Sequence, residues 1–217
     1  MRIPFFFGYG SLVNRRTHGH DEAHTARVRG WKRIWRHTAL RPVAFLTAVP
    51  DPEVEIEGLI AGVPGADWAA LDDREHAYDR VAAADVAHAL DWRPDVNLYT
   101  IPPGKHRAPD RAHPVLLSYI DVVVQGYLDE FGEDGVRRFF ETTAGWDAPV
   151  ADDRADPIYS RHQALAARER KLVDRWLDNL RVARQRAGDL KARVAAAPLA
   201  RTGPVARSTV TAEPPKS

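Results

Sequence analysis

The hydrophobic residues of this sequence change their spacing near Pro114, and that change limits the fold more than any other feature. Before it, short apolar runs rich in β-branched and aromatic residues end at prolines, as strands do. After it, apolar residues recur every three or four positions, as on one face of a helix. The sequence therefore predicts an α+β protein, with strands in its first part and helices in its second.

The predicted elements divide the chain into three regions. Strands are predicted at residues 5–7, 43–49, 57–63 and 96–101, and their spacing suggests a small closed or strongly curved sheet. Helices are predicted at residues 116–131, 135–143 and 161–197. Residues 201–217 have no apolar period and are rich in Pro, Ser and Thr, so they are predicted to be disordered. We therefore expect a sheet region at 1–105, a helical extension packed on it at 106–200, and a tail at 201–217.

The composition excludes several kinds of site and partner. The sequence has no cysteine, which excludes disulfides, thiolate metal ligands and a cysteine nucleophile. Its 31 Lys and Arg residues nearly balance 30 Asp and Glu, so the formal charge of +1 gives no general attraction to nucleic acid or to an anionic membrane. The start lacks the pattern of a signal peptide, and no segment reaches the roughly 20 apolar residues that span a bilayer. We expect a cytoplasmic protein without a nucleic-acid or membrane partner.

The first predicted strand runs directly into a glycine turn, FFFGYGSL. Three successive phenylalanines suit a strand that is covered on both faces. Gly8 and Gly10 then permit either backbone angles that are closed to other residues or the close approach of another group. Such a turn presents successive amide hydrogens in one direction, which favours a carboxylate or a developing oxyanion.

A short helix is predicted over residues 67–78, with Asp67 as its N-cap. At about 100° per residue, Glu75 falls on the apolar side with Tyr78, whereas Arg74 points elsewhere. A carboxylate that is turned inward loses hydration, which raises its pKa toward the range of a general acid or base. The plainer alternative is a slightly rotated helix whose glutamate only caps neighbouring backbone.

The glycine turn matches no nucleophile or phosphate motif. Ser11 lies in GYGSL, which lacks the final glycine of the G-x-S-x-G nucleophile elbow because position 13 is Val. The spacing does not make a phosphate-binding P-loop either. A serine hydrolase is therefore not favoured.

These motifs resemble those of the gamma-glutamylcyclotransferase-like superfamily. FGYGSL at residues 7–12 is similar to its opening motif, especially in the glutathione-directed ChaC-type branch, and LDDRE at 71–75 with Tyr78 is similar to its L-D-x-x-E helix. RGWKR at residues 29–33 is a weaker match to the strand between them. The order and the spacing of about sixty residues make the pair fairly specific, and the resemblance covers about residues 3–103.

The resemblance implies a small mixed-sheet β-barrel with flanking helices and an enzyme that uses no metal or organic cofactor. In the family, the α-amine of a γ-glutamyl substrate attacks its own γ-amide carbonyl, which gives 5-oxoproline and releases an amine or amino acid. By this match Glu75 is the catalytic residue that transfers the proton. The substrate-binding residues are then Tyr9, Gly10, Ser11 and Leu12, through their backbone, and Tyr78. The alternative is a non-catalytic domain that binds a small acidic metabolite or a protein partner, and the leaving group and oligomeric state stay open.

Three further segments have alternative interpretations. The stretch HGHDEAH, with His18, His20 and His24, contains potential metal ligands, but a solvated loop is the simpler account. Basic and aromatic residues at 27–37 could form a nucleic-acid surface, although an edge strand with basic outer and aromatic inner positions explains them better. Residues 152–162 either cap the last predicted helix or form a substrate-facing rim, and capping is favoured.

Overall fold

The computed structural model describes residues 3–197, and within them strands precede and follow a long central helix. The strands are β1 (Phe5–Gly8), β2 (Ala23–His37), β3 (Ala44–Gly62), β4 (Asp79–Ala82), β5 (Val86–His88), β6 (Val96–Thr100), β7 (Val115–Leu116), β8 (Thr143–Ala144), β9 (Val150–Asp152) and β10 (Arg184–Arg186). The helices are α1 (Ala69–Arg74), α2 (Leu117–Thr142), α3 (Ala167–Asn179) and α4 (Leu190–Ala196). The predicted disordered tail at 201–217 lies outside the described residues.

A mixed seven-stranded sheet forms the centre of the fold. Its order is β4-β6-β1-β3-β2-β5, and β8 pairs with β2 off this path. β1 is antiparallel to β3 and parallel to β6. A second sheet, β10-β9-β7, has parallel pairs. The predicted α+β class with a mixed sheet and flanking helices is confirmed, but the strand order does not return to its start, so a closed barrel is not confirmed.

The three phenylalanines of β1 are buried on both faces of the sheet, as the sequence predicts. Phe5 and Phe7 belong to the main hydrophobic core, which also contains residues of α2 and α3. Phe6 points to the other face and packs in a smaller cluster with Leu71 of α1 and Tyr99 of β6. β1 is therefore fixed between two apolar layers, and the glycine turn that follows it begins from a rigid position.

β3 is one strand, whereas the sequence predicts two strands separated at Pro50. Its pairing with β2 shifts between Arg29 and Trp31, where Gly30 has φ +85°. Residues 51–54 of β3 have no partner in this register. The missing N–H of Pro52 therefore costs no ladder hydrogen bond, and the strand continues through the irregularity.

The interpretation of residues 27–37 as an edge strand is wrong. β2 pairs with β3 on one side and with β5 and β8 on the other. Both of these short strands come from distant parts of the sequence, so the local pattern of β2 could not indicate them. Arg27 and Arg29 are exposed, but Arg33 is buried, so the basic residues do not share one outer face.

Arg33 is a buried cation, and each of its three nitrogens donates a hydrogen bond between the sheet and α2. It is 1% exposed, and its Nη1 donates to the backbone carbonyl of Glu57 at 2.9 Å. Its Nε donates to Thr143 Oγ1 at 3.1 Å, and its Nη2 donates to Thr142 Oγ1. The guanidinium also lies 5.1 Å from the ring centroid of Tyr127. A buried charge with this set of partners is compatible with a stable core.

α2 packs directly on the chain that follows the glycine turn. A Cβ on Gly126 would lie 2.7 Å from the Asn14 nitrogen, so only glycine allows this approach. Asn14 Nδ2 donates to the Val122 carbonyl and to Gln125 Oε1, both at 3.0 Å. Gly132 interrupts the helical angles with φ +67° and ψ −169°, at the position where the sequence predicts a stop. The first half of α2 therefore supports the turn after β1.

The region beyond residue 106 is not purely helical, and its last predicted helix is wrong. Residues 161–197 contain α3, β10 and α4 in place of one helix. Two residues between α3 and α4 have positive φ angles, which a right-handed helix does not allow. They are Arg181, with φ +53°, and Gly188, with φ +52°. The main hydrophobic core joins residues of β1, α2 and α3. The division at residue 105 stays a prediction.

No helix in the described part of the chain is long and apolar enough to cross a lipid bilayer.

Candidate active site

The turn after β1 requires glycine at positions 8 and 10, because other groups lie too close for a side chain there. Gly10 has φ −119° and ψ −128° and precedes a one-turn 3₁₀ helix, Ser11–Val13. A Cβ on Gly8 would lie 2.6 Å from Leu12 Cβ, and a Cβ on Gly10 would lie 2.7 Å from Tyr119 Oη. The turn thus folds back onto its own 3₁₀ helix, and its backbone borders a phenol of α2.

Glu75 is the first residue after the C-terminal end of α1. The helix ends at Arg74, and Glu75 has φ −100° and ψ 29°, which are no longer helical. The Tyr78 amide donates to the Glu75 carbonyl at 2.8 Å, so residues 75–78 form a turn that leads into β4. Asp67 Oδ1 accepts from the Ala69 amide at 3.1 Å, but the N-cap of α1 is Trp68, one residue later than predicted. The predicted helix is therefore too long at its C-terminal end.

One small cavity collects the residues that the sequence singles out from two distant segments. It has a volume of about 30 Å³. Its lining contains all six predicted site residues, namely Tyr9, Gly10, Ser11, Leu12, Glu75 and Tyr78. Leu46, Tyr99 and Tyr119 also contribute to it. The structure therefore brings the glycine turn and the glutamate to one place, while the roles of these residues stay predictions.

Arg74 joins the two segments, although the helical projection of the sequence turns it away from the site. Its Nε lies 3.1 Å from Glu75 Oε1. Its Nη1 donates to the Thr17 carbonyl at 2.9 Å, and its Nη2 donates to Ser11 Oγ at 3.3 Å. The direction predicted for the Arg74 side chain is wrong because α1 ends at this residue. Its position directly before the glutamate in LDDRE was the only signal in the sequence.

The environment of Glu75 favours the protonated carboxyl. Burial raises the pKa of Glu75 above its ordinary value of 4.5, and the positive charges of Arg74 and Arg161 oppose that rise. Its carboxyl side chain is 17% exposed, so desolvation is the larger effect. A carboxylate with a raised pKa is a stronger base than an exposed glutamate, which suits proton transfer near neutral pH.

Tyrosines from several elements wall the cavity. Tyr78 Oη donates to the Leu46 carbonyl at 2.9 Å, which fixes its ring. Tyr9 Oη donates to the Tyr99 carbonyl and accepts from the Ala48 amide. Tyr119 comes from the first turn of α2, and sequence analysis does not single it out because only the tertiary packing of α2 brings it to the glycine turn.

The segment at 152–162 does not cap the last helix, and its Tyr159 packs against Tyr119, which lines the cavity. The Tyr159 and Tyr119 rings meet edge to face, with centroids 5.0 Å apart. Burial raises the pKa of Tyr159, and a hydrogen bond with Ser11 partly offsets the rise. Asp153 accepts from the Ser118 amide at 2.8 Å, so it caps α2. The favoured capping of the last helix is thus wrong, because α3 begins only at Ala167.

Ser11 has no basic partner suited to a serine nucleophile. Its Oγ accepts from Arg74 Nη2, and within residues 3–197 no histidine ring hydrogen-bonds with it. A guanidinium does not accept a proton at neutral pH, so it cannot activate a hydroxyl as a general base. The arrangement agrees with a role for Ser11 through its backbone.

Two histidines of HGHDEAH contact the protein interior. His18 Nε2 hydrogen-bonds with the Leu12 carbonyl at 3.1 Å, and His20 Nδ1 with the Gly62 carbonyl at 2.9 Å. Both rings lie edge-on to Phe6. Burial lowers the pKa of His18 to about 4. The interpretation of this stretch as a solvated loop is therefore wrong for these two residues, which pack behind the glycine turn.

A different group of three side chains in the described part of the chain has the composition of a metal site. His37, Asp110 and His113 place potential ligand atoms within 4.8 Å of one another. The two imidazole rings are stacked, with centroids 4.1 Å apart and an interplanar angle of 13°. Ring nitrogen lone pairs lie in the ring planes, so two parallel rings cannot both point to one ion about 2.0 Å away. We assign no metal to this group.

Comparison with known proteins gives a result for the fold alone. No protein-family model and no curated protein matches the chain by sequence. A solved gamma-glutamyl cyclotransferase aligns with a TM-score of 0.52 over 79% of this chain and 98% of its own, at 13% identity. The fold is that of a gamma-glutamyl cyclotransferase.

Two other structures with this fold extend the comparison. An uncharacterised protein from Homo sapiens aligns with a TM-score of 0.52 over 80% of this chain and 99% of its own, at 13% identity. YkqA from Bacillus subtilis aligns with a TM-score of 0.50 over 67% of this chain and 57% of its own, at 17% identity. The gamma-glutamylcyclotransferase-like fold is thus confirmed, and the ChaC-type branch stays a prediction.

Proposed function

We propose that the protein is a gamma-glutamylcyclotransferase-type enzyme that cyclises a γ-glutamyl amide or peptide to 5-oxoproline. One observation carries the proposal: Glu75, whose pKa is raised by burial, shares a cavity with the backbone of Gly10 and Ser11. The fold of a gamma-glutamyl cyclotransferase supports it independently of these residues.

The proposed reaction needs a base, an anchor and a bent substrate. The Glu75 carboxylate takes a proton from the substrate ammonium, and the freed amine lone pair forms a bond to the γ-carbonyl carbon. The C–N bond to the leaving group breaks as Glu75 returns the proton to the departing nitrogen. The freed carboxylate then takes the second proton from the ring nitrogen and passes it to the released amine. Amide hydrogens of the glycine turn hold the α-carboxylate. Because the attack is intramolecular, it requires no protein nucleophile.

Binding requires side chains of the cavity to move. A volume of about 30 Å³ holds about one water molecule, whereas a glutamyl group is several times larger. Tyr119 Oη lies against Gly10, where the anchor is proposed, and Arg74 lies between Ser11 and Glu75. Displacement of the Tyr119 ring would open space for the substrate beside Gly10. Arg74 would stay in contact with Glu75.

The proposal is tested by supplying glutathione, γ-glutamyl-alanine and γ-glutamyl-lysine and measuring 5-oxoproline by mass spectrometry. Wild-type protein should form 5-oxoproline from at least one of them, and Glu75→Gln should lower kcat by about 10²- to 10⁴-fold, the range of general acid–base catalysis. Glu53→Gln, at an exposed glutamate, is the control and should leave kcat unchanged.

Two results would contradict the proposal. One is the absence of 5-oxoproline with all three compounds, and the other is a Glu75→Gln variant as fast as wild type. The first result would favour the non-catalytic alternative, a domain that binds a small acidic metabolite or a protein partner.

A further inference from the structure

A second and much larger cavity adjoins the candidate active site. Its volume is about 880 Å³, which lies within the range of small-molecule sites. Tyr78 lines both cavities, and His76, the residue directly after Glu75, lines the larger one. The two spaces therefore share Tyr78 as a wall, in the turn that carries the proposed catalytic glutamate.

The lining of this larger cavity is basic. Lys105 and Arg107 contribute to it, together with the histidines at positions 37, 76 and 113. In its lining, among residues 3–197, Asp79 is the one carboxylate. We call this space the basic cavity. Two cations against one carboxylate give the cavity a net positive charge, which attracts anionic ligands.

Lys105 and Arg107 are available to a ligand. Both residues are exposed, and neither side chain forms an ion pair with a carboxylate in the described part of the chain. The position of Arg107 is nevertheless fixed, because its backbone exchanges two hydrogen bonds with His37, at 3.0 and 2.9 Å. The backbone of Arg107 is thus held in place, and its side chain extends from a fixed point of the cavity wall.

The proposed reaction determines which part of a substrate reaches the basic cavity. The glutamyl carboxylate is anchored at the glycine turn, and the γ-amide nitrogen must lie beside Glu75 to receive its proton. The leaving group begins at that nitrogen and extends away from the glycine turn. Past Glu75, the chain turns through His76 to Tyr78, where the basic cavity opens. The leaving group is therefore the part of the substrate that this space can hold.

We infer that the basic cavity is the subsite for the leaving group and that it selects an acidic one, such as the glutamate of γ-glutamyl-glutamate. Lys105 and Arg107 bind its carboxylates and act as specificity-determining residues. This inference rests on the proposed function, and it narrows the substrate class from any γ-glutamyl compound to those whose leaving amino acid or peptide carries more than one carboxylate.

The test compares γ-glutamyl-glutamate with γ-glutamyl-glutamine, which have the same size and differ by one negative charge. Wild-type protein should have a kcat/KM about two- to fivefold higher for the glutamate compound, as expected for one screened charge pair. The double variant Lys105→Gln/Arg107→Gln should remove that preference, because the KM for γ-glutamyl-glutamate should rise more than the KM for γ-glutamyl-glutamine. Arg170→Gln/Lys171→Gln, which removes the same charge from exposed positions of α3, should keep the preference.

The outcomes separate this inference from the proposed function. Equal kcat/KM values for the two dipeptides, or an unchanged preference in the Lys105→Gln/Arg107→Gln variant, would overturn the assignment of the basic cavity. Absence of 5-oxoproline from every compound would instead overturn the proposed function. Calorimetric titration of Glu75→Gln with both dipeptides then tests the subsite by binding alone. Tighter binding of γ-glutamyl-glutamate that depends on Lys105 and Arg107 supports it, and equal binding overturns it.

Discussion

At the scale of single residues, the site depends on the carboxyl group of Glu75, whose burial costs free energy of desolvation. Desolvation disfavours the charged form of Glu75, and Arg74 and Arg161 offset only part of that effect. The sequence indicates this residue because it stands beside Leu71 and Tyr78 in an apolar pattern. It does not indicate Arg74 as a partner, because that contact arises only where α1 ends and the chain turns.

Glu75→Gln should become more stable relative to wild type as the pH rises. The folded-state pKa of Glu75 lies above 4.5, so the folded protein binds more protons than the unfolded chain between that value and the folded pKa. Wild type therefore loses stability as the pH rises through this window, and the glutamine variant does not. Urea unfolding at pH 4 and pH 7.5 measures the difference. A variant that loses stability relative to wild type between these two values would contradict the assignment of the raised pKa.

At the scale of elements, the glycine turn is held by contact with the 3₁₀ helix Ser11–Val13 that follows it.

The sequence predicts β1, the turn and the start of α1, because these are local patterns of aromatic, glycine and capping residues. It misses the continuity of β3, the interior position of β2 and the break after α3. Each of these depends on a partner far away in the chain, such as β5 and β8 for β2, which local spacing cannot indicate.

Gly8→Ala should destabilise the protein by about 1–3 kcal/mol, the usual cost of overpacking. The new methyl group would lie 2.6 Å from Leu12 Cβ, so the 3₁₀ helix Ser11–Val13 would have to move. Gly19→Ala is the matched control, because a Cβ there has no atom within 4 Å and should change stability by less than about 0.5 kcal/mol. Urea denaturation of both variants gives the comparison, and equal unfolding free energies would show that the turn tolerates the displacement.

At the scale of the whole molecule, the site is completed by residues from both halves of the chain. The glycine turn and Glu75 come from the part that resembles the family in sequence, whereas Tyr119 and Tyr159 come from the part beyond it. Asp153 fixes that second part. It accepts from the Ser118 amide and hydroxyl and from the Ile158 amide, at 2.8, 2.6 and 2.9 Å. The sequence leaves the place of residues 152–162 open, because these tertiary hydrogen bonds join segments that are far apart in the chain.

Asp153→Ala should lower the unfolding free energy by about 3 kcal/mol, because it leaves two amides and a hydroxyl without their acceptor in a buried position. Asp147→Ala, at an exposed aspartate, should have an effect within about 0.5 kcal/mol. Chemical denaturation of the two variants is the measurement. A stable Asp153→Ala protein would show that the segment carrying Tyr159 is held by its apolar contacts alone.

The buried guanidinium of Arg33 also limits how the two halves can slide past each other. Its acceptors lie on β3, at the end of α2 and on β8, so they belong to three separate elements. A shift of α2 by one turn, about 5.4 Å, would carry Thr142 out of reach and leave Nη2 of the buried guanidinium without its acceptor. Thr142 lies in the half of α2 that follows Gly132, and Tyr127, which also accepts from Arg33, lies in the half that precedes it. Arg33 thus holds both halves of α2 in one position along the sheet, and Tyr119, in the same half as Tyr127, keeps its place beside the glycine turn.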